Sequence, residues 1–313
     1  MSEQRARLIL PIAILVAILA VSTASLFIRF AQQDAPSLVI AAYRLTLASL
    51  ALAPFALTRH RHELRALSRR ELLLALLAGV FLAVHFAMWI SSLAYTTVAS
   101  SVVLVSTSPL WVALLSPLIL REPPTKYVLI GMFFALLGGA TIGLGDSCAW
   151  QDGLNCPPLA EFVQGRAFFG NLLALAGAWA VTGYLLIGRR LRAKMSLLPY
   201  IFVVYSMAAI VLLVVMRIAG ETPFGYPPLA YLWMLLLALI PQLIGHSTYN
   251  WALRYLPAAF VAVTTLGEPI GSTILAYFIL QESPGALKIV GGVLILAGIY
   301  AASRSGKQNG EQP

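Results

Sequence analysis

Ten runs of mostly apolar residues, each about as long as a bilayer is thick, leave this chain few ways to fold. They lie near residues 8–29, 37–57, 72–94, 98–120, 127–145, 168–188, 197–218, 230–252, 258–280 and 286–303. An α-helix rises about 1.5 Å per residue and the hydrocarbon layer is about 30 Å deep, so roughly 20 apolar residues make one crossing. Only 11% of the 313 residues are charged, against about 25% in a soluble domain. A water-soluble fold would leave too much apolar surface exposed. The expected fold class is therefore all-α integral membrane, with ten transmembrane helices joined mostly by short loops into one bundle.

The same landmarks occur twice. Leu93, Tyr95, Ala99, Val103, Pro109, Glu122, Pro124, Gly131 and Gly138 recur as Leu253, Tyr255, Ala259, Val263, Pro269, Glu282, Pro284, Gly291 and Gly298, at a constant offset of 160 residues and without a gap. Such self-similarity marks a repeated structural unit, here with five spans in each copy. Five is odd, so a unit that enters from one side leaves on the other, and its copy runs the opposite way. Two inverted five-helix repeats, related by a pseudo-two-fold axis in the membrane plane, are the architecture of many transporters, with solute bound near the midplane where the copies meet. The expected boundaries are 8–145 for the first repeat, 146–167 for an outer loop, 168–303 for the second repeat and 304–313 for a cytoplasmic tail. Spans five and ten carry Gly131, Gly138, Gly139 and Gly143 in one and Gly291, Gly292 and Gly298 in the other. Small residues let helices approach closely in lipid, so these two read as bracing helices more than as cavity walls.

Charge sets the orientation. With the N-terminus inside, 16 of the 21 Lys and Arg fall in cytoplasmic segments, so both termini are expected in the cytoplasm. The net charge of +9 is a topology signal. Nucleic acid is not an expected partner, because the basic residues cluster in membrane-proximal loops without a stacking platform. The first run follows Arg5 and Arg7 like a signal peptide, yet it is long for one and the first repeat needs it, so it reads as a retained helix. Cys148 and Cys156 share the outer loop; they are disulfide candidates if that side is oxidising and free thiols otherwise. Their spacing excludes a CxxC metal site. Arginine outnumbers lysine, 17 to 4, which points to a GC-rich bacterial genome and so to the bacterial inner (plasma) membrane.

The repeated unit resembles the EamA module of the drug/metabolite transporter superfamily. The residues that carry the resemblance are Ser-Leu-Ala-Tyr-Thr-Thr-Val-Ala-Ser (92–100), Ser-Pro-Leu (108–110) and Arg-Glu-Pro-Pro-Thr (121–125) in the first copy. In the second they are Ala-Leu-Arg-Tyr-Leu-Pro-Ala-Ala (252–259), Glu-Pro-Ile (268–270) and Gln-Glu-Ser-Pro-Gly (281–285). Tyr43-Arg44-Leu45 in span two is also typical of the first copy. The resemblance covers nearly the whole chain. It implies ten helices around a central cavity, spans five and ten outside the pore, and transport by alternating access. Many members export amino acids or related metabolites; sugar-phosphate and nucleotide-sugar carriers share the fold, so substrate identity does not carry over.

Ionisable residues within a span cost about 2.5–3.5 kcal/mol on insertion scales and are functional candidates by default. Glu268 stands mid-span before Pro269, where a missing backbone donor opens the turn. It is the first candidate to bind a substrate cation, a proton, or both; the alternative is a carboxylate bonded to a neighbouring helix. His85 and His246 lie at nearly equivalent depths, since the offset pairs His85 with Gly245; they line the cavity, relay protons, or simply join helices. Arg44 either meets a substrate carboxylate or packs and snorkels. Trp89 and Tyr249 match at the offset and share helix faces with the two histidines. With Asn250, Trp179 and Trp111 they suggest aromatic walls suited to a bulky, amphipathic solute, although the two tryptophans fit an interfacial role equally. Ser108 is the repeat mate of Glu268, which makes the two halves chemically unequal. Glu122 and Glu282 end their spans ahead of prolines and read as structural residues that cap the turn, not as substrate ligands.

The leading reading is a secondary transporter, with a small-molecule substrate, the lipid bilayer as surroundings and protons as candidate coupling ions. Neither a cofactor nor a metal is implied, and no Walker loop supplies ATP. The rival from another class is a membrane-embedded enzyme, which lacks a His-Glu-x-x-His or Gly-x-Ser-x-Gly motif. A channel lacks a filter, and inverted repeats favour rocking over a fixed pore.

Overall fold

A computed structural model describes residues 3–121, 125–147, 149–150, 154–155 and 164–303. In chain order the helices are α1 (Glu3–Ser22), α2 (Ala24–Ala31), α3 (Ser37–Arg59), α4 (Arg61–Arg65), α5 (Arg69–Ser92), α6 (Val98–Val105), α7 (Ser108–Ile119) and α8 (Lys126–Ser147). After a short antiparallel ladder of β1 (Ala149–Trp150) and β2 (Leu154–Asn155) follow α9 (Arg166–Arg192), α10 (Leu197–Ile218) and α11 (Pro228–Leu237). A π-helical stretch, Ala238–His246, leads into α12 (Ser247–Ala252), and α13 (Ala258–Thr264), α14 (Gly267–Leu280) and α15 (Ala286–Ser303) complete the chain. Cys148, Cys156, Glu122 and the expected tail lie outside the described residues.

Among the described residues, eight stretches are long and apolar enough to cross a membrane: Ile9–Ala31, Ser37–Arg59, Arg69–Ser92, Val98–Ile119, Arg166–Arg192, Leu197–Ile218, Pro228–Ala252 and Ala258–Leu280. The chain is an integral membrane protein. At the expected fifth and tenth spans the apolar helices are shorter, Leu129–Thr141 and Ala286–Gly298. An apolar stretch of that length covers about 20 Å, within helices of 22 and 18 residues. These two helices, α8 and α15, pack along each other. A Cβ on Gly138 would stand 2.5 Å from the Gly291 carbonyl oxygen, so glycine alone permits this approach.

Four of the crossings are interrupted, three of them at or beside a proline (Pro109, Pro241 and Pro269). Proline has no backbone donor, and threonine hydroxyls near the breaks bond back to carbonyls of the preceding turn. Between α6 and α7, just before Pro109, Thr107 donates to the Leu104 carbonyl at 2.8 Å. Between α13 and α14, before Pro269, Thr265 donates to Ala262 and Thr264 to Val261, both at 2.7 Å. Thr23, between α1 and α2, donates to Ala20 at 2.8 Å. The π-helical stretch holds Pro241. At nine residues it is long for a conformation that usually occurs as a single turn near functional sites.

Contacts recur at the 160-residue offset. Arg29 Nη1 donates to the Leu93 carbonyl at 2.7 Å, and Arg189 Nη1 to the Leu253 carbonyl at 2.9 Å. Gln32 Nε2 donates to the Ile90 carbonyl at 2.8 Å, and Arg192 Nε to the Asn250 carbonyl at 3.0 Å. Among the described residues, the non-glycine positions with left-handed φ are Arg121 (59°) and Gln281 (57°), each at the end of a broken crossing. The core between the helices is largely Ala, Val, Leu and Ile from α1 to α3, α5, and α9 to α13.

Candidate functional site

Six residues nominated by the sequence meet at one place. His85, Trp89, Ser108, His246, Tyr249 and Glu268 line a single cavity of about 50 Å³ between α5, α7, α9, α12 and α14. A single water needs about 10–15 Å³ of such space, so the cavity has room for a few waters at most. It is far smaller than the roughly 300–1,000 Å³ of ordinary ligand clefts. A bulky solute would enter this arrangement only if the helices moved apart.

Each lining group is placed by its helix. His85 and Trp89 are one turn apart on α5, and their rings stack with centroids 5.9 Å apart at 14°. The Nδ1 of His85 is 3.0 Å from the Gly177 carbonyl of α9. If that nitrogen carries the proton, Nε2 is left as an acceptor. The His246 ring lies 6.5 Å from that of His85 and 5.3 Å from Phe86. It is the last residue of the π-helical stretch, with Tyr249 three residues on. Glu268 and Ser108 stand in the first turns of α14 and α7. Both half-helices thus begin at the cavity, and a helix N-terminus carries partial positive charge. The Glu268 carboxylate makes neither a hydrogen bond nor an ion pair within the described residues.

Arg44, Asn250 and Trp179 take other places. Arg44 is fully buried behind the cavity wall. Its guanidinium lies 4.0 Å over the Phe86 ring and 5.9 Å from the Trp89 ring, and its Nε donates to Gln242 Oε1 at 2.9 Å. Its two Nη atoms have no partner among the described residues. Asn250 is buried in a neighbouring polar cluster, where its amide nitrogen donates to Tyr184 Oη and, at 2.8 Å, to the His246 carbonyl. Adjacent helical residues point about 100° apart, so with Tyr249 on the cavity Asn250 turns away from it. Trp179 is not brought to the cavity: it is 55% exposed on the outside of the bundle, edge-on to Trp111 with centroids 5.5 Å apart. The opposite side of the same helix supplies Val181, Tyr184 and Leu185 to the lining.

Sequence reasoning did not single out Tyr184, Val21 or Gln242. Gln242, directly after Pro241 and fully buried, was discoverable as an amide beside a proline break. Val21 and Tyr184 carry no charge and gave no signal. Glu282, read as a structural capping residue, accepts from the Val98 amide at the start of α6 at 2.9 Å and from Arg29 Nη2 at 2.7 Å. Those partners are distant in sequence. Neither α8 nor α15 contributes to the cavity.

The profile of the EamA-like transporter family matches residues 8–144 and again 168–304. An uncharacterized transporter of Archaeoglobus fulgidus is 23% identical over 276 residues, spanning 88% of this chain and 90% of the relative. The pseudopaline exporter CntI of Pseudomonas aeruginosa is 26% identical over 243 residues, 77% of this chain and 78% of the relative. One solved structure, described only as the crystal structure of a protein, superposes with a TM-score of 0.69 at 19% identity, covering 96% of this chain and 98% of the other. At that identity the likeness extends to the fold alone.

Proposed function

Because the chain belongs to the EamA-like transporter family, we propose that it is a secondary transporter exporting amino acids or related amphipathic metabolites by alternating access. Two five-helix repeats of opposite orientation carry the movement, in a bacterial inner membrane with both chain ends in the cytoplasm. The observation that carries the reading is the Glu268 carboxylate on the wall of a central cavity, without a counter-ion bonded to it. A half-buried carboxylate within a membrane span is costly unless something pairs with it. A solute ammonium or a proton supplies that pair.

Further support comes from the cavity walls. Trp89, Tyr249 and the two histidines give it aromatic faces, which suit a solute with an apolar body and a few polar groups. Opposite Glu268, the α7 N-terminus at Ser108 favours negative charge, as the carboxylate of an amino acid would provide. The small volume fits a carrier between loaded states, with space made by helix movement. Export is favoured by one relative being named an exporter. The recurrence of Arg29–Leu93 as Arg189–Leu253 supports the repeat relation, and the excess of Lys and Arg on one side supports the orientation.

The test is a thermal-shift screen of amino acids and small metabolites on the purified protein, since a ligand specific for the folded state stabilises it. Counterflow of each stabilising compound in proteoliposomes follows. A carrier exchanges labelled solute unchanged. Conversion of the solute to product would instead favour an enzyme built on Ser108 and the histidines. Failure of every zwitterionic compound to stabilise the protein would overturn the substrate class.

A further inference from the structure

We propose that Arg29, Glu282 and the turn joining α5 to α6 form a latch that holds one face of the carrier shut, and that its release opens the central cavity to that face. The proposal rests on the carrier reading above.

The latch is a cluster of hydrogen bonds centred on Glu282, whose side-chain contacts join the two family-matched halves of the chain. Glu282, from the second half, accepts from Arg29 Nη2 at 2.7 Å through one oxygen and from the Val98 backbone amide at 2.9 Å through the other. Arg29 uses its remaining terminal nitrogen on the Leu93 carbonyl at 2.7 Å. Beside them, Lys288 Nζ donates to Thr97 Oγ1 at 3.0 Å. One carboxylate thus joins the end of α2, the start of α6 and the exit of α14. The left-handed backbone at Gln281 (φ 57°) turns the chain there. A carboxylate needed only to cap its own turn would not reach residues so far away in the sequence.

The position fits a closure. Val21 lines the central cavity, and Arg29 lies two turns further along, about 12 Å at a helical rise. On the far side of the latch is an open hollow of about 420 Å³ lined by Arg29, Gln32, Gln33 and Glu282. The packing is also unequal at the two faces. On the latch face α9 lies along α6; their counterparts at the 160-residue offset, α1 and α13, make no comparably extended contact among the described residues. The latch therefore closes the side at which the bundle is already shut. It is also weak enough to open. The paired side chains are only partly covered, at 30% and 21% exposed, and one such ion pair shifts a two-state balance by about fivefold.

The experiment uses the full chain with Cys148→Ser and Cys156→Ser and a reporter, Val21→Cys, in proteoliposomes of known orientation. A charged, membrane-impermeant methanethiosulfonate is applied to one face at a time. With the latch intact, the reporter should react mainly from the face opposite Arg29. Arg29→Gln and Glu282→Gln should each raise the rate from the Arg29 face by about fivefold. Val98→Pro is the control against misfolding. Position 98 is the first of its helix, where proline is tolerated, and Thr97 before it already has extended backbone (φ −75°, ψ 159°). It removes one donor to Glu282, leaves the ion pair, and should raise the rate by a smaller factor. Unchanged labelling from the Arg29 face in Val98→Pro and in whichever side-chain variants fold would overturn the latch. A reporter equally reactive from both faces, or from neither, with and without a transported solute would instead overturn the carrier reading.

Discussion

Replacing Glu268 by glutamine keeps the size and position of the side chain and removes only its charge. The carboxylate borders the cavity and has no hydrogen-bonding or ion-pair partner within the described residues. Arg44 is near enough for its charge to be felt there, but its Nε is committed to Gln242 and its plane to Phe86. The substitution thus breaks no contact within the protein, and its effect should fall on what enters the cavity. A hydrogen bond to a charged group contributes about 1.5–3 kcal/mol, which is roughly 10- to 100-fold in affinity. The variant should fold with wild-type thermal stability and show a KM for a zwitterionic solute raised by roughly that factor in counterflow. If a proton shares the site, solute movement driven by a pH gradient should cease, and the remaining exchange should no longer vary with pH. Full gradient-driven transport by Glu268→Gln at every pH would refute the proton role. A parallel loss of stability and transport, with KM unchanged, would refute the substrate role and leave a structural carboxylate.

Three further outcomes are expected. Arg44→Lys removes a buried bond to Gln242 and the guanidinium stack on Phe86, at a cost of about 2–4 kcal/mol. It should lower the melting temperature without a selective rise in KM, whereas wild-type stability with KM raised more than about tenfold would make Arg44 a solute ligand. Gly138→Val forces α8 and α15 apart where a Cβ would meet a carbonyl at 2.5 Å. Overpacking of this kind costs about 1–3 kcal/mol; thermal unfolding should show the loss, with KM unchanged in the folded fraction. Glu63 caps the start of α10, accepting from the Ser196 amide at 2.7 Å and from its hydroxyl. Burial pushes this carboxyl up, but the Ser196 hydroxyl and amide bonds, with His60, more than offset it and hold it below its ordinary value. A depressed carboxylate contributes stability above its unfolded value of about 4.3, and that contribution is lost as pH falls through the folded value. Glu63→Gln should therefore cost about 1 kcal/mol near neutrality and converge on wild type in acid; melting curves with the same gap at pH 7 and pH 3.5 would contradict this.

Much of the site was legible because lipid makes polarity expensive. Glu268, His85 and His246 stood out as ionisable groups inside apolar runs, and the helical period joined Trp89 and Tyr249 to the histidines. All of these reach one cavity. The pattern was weaker where the question was rotation about a helix axis. Asn250 follows Tyr249, and Trp179 lies two residues from Val181, so small rotations decide which member of each pair faces inward. The nine-residue π-helical stretch directly precedes α12, and a wider turn changes the angle between successive residues.

The distribution of apolar runs, the placement of prolines and glycines and the 160-residue recurrence were enough to specify a helical membrane bundle built in two related halves. They act through local physics: hydrogen bonds kept within a helix, donors missing at proline, close approach at glycine. Long-range pairings came only with the folded chain. Glu282 could have capped its own turn by every local rule, yet it binds Arg29 and Val98 across the halves. Arg44 could have reached for solute or water, yet it stacks on Phe86. Those choices depend on which helices lie side by side and at what rotation, and that is settled by packing the whole bundle at once.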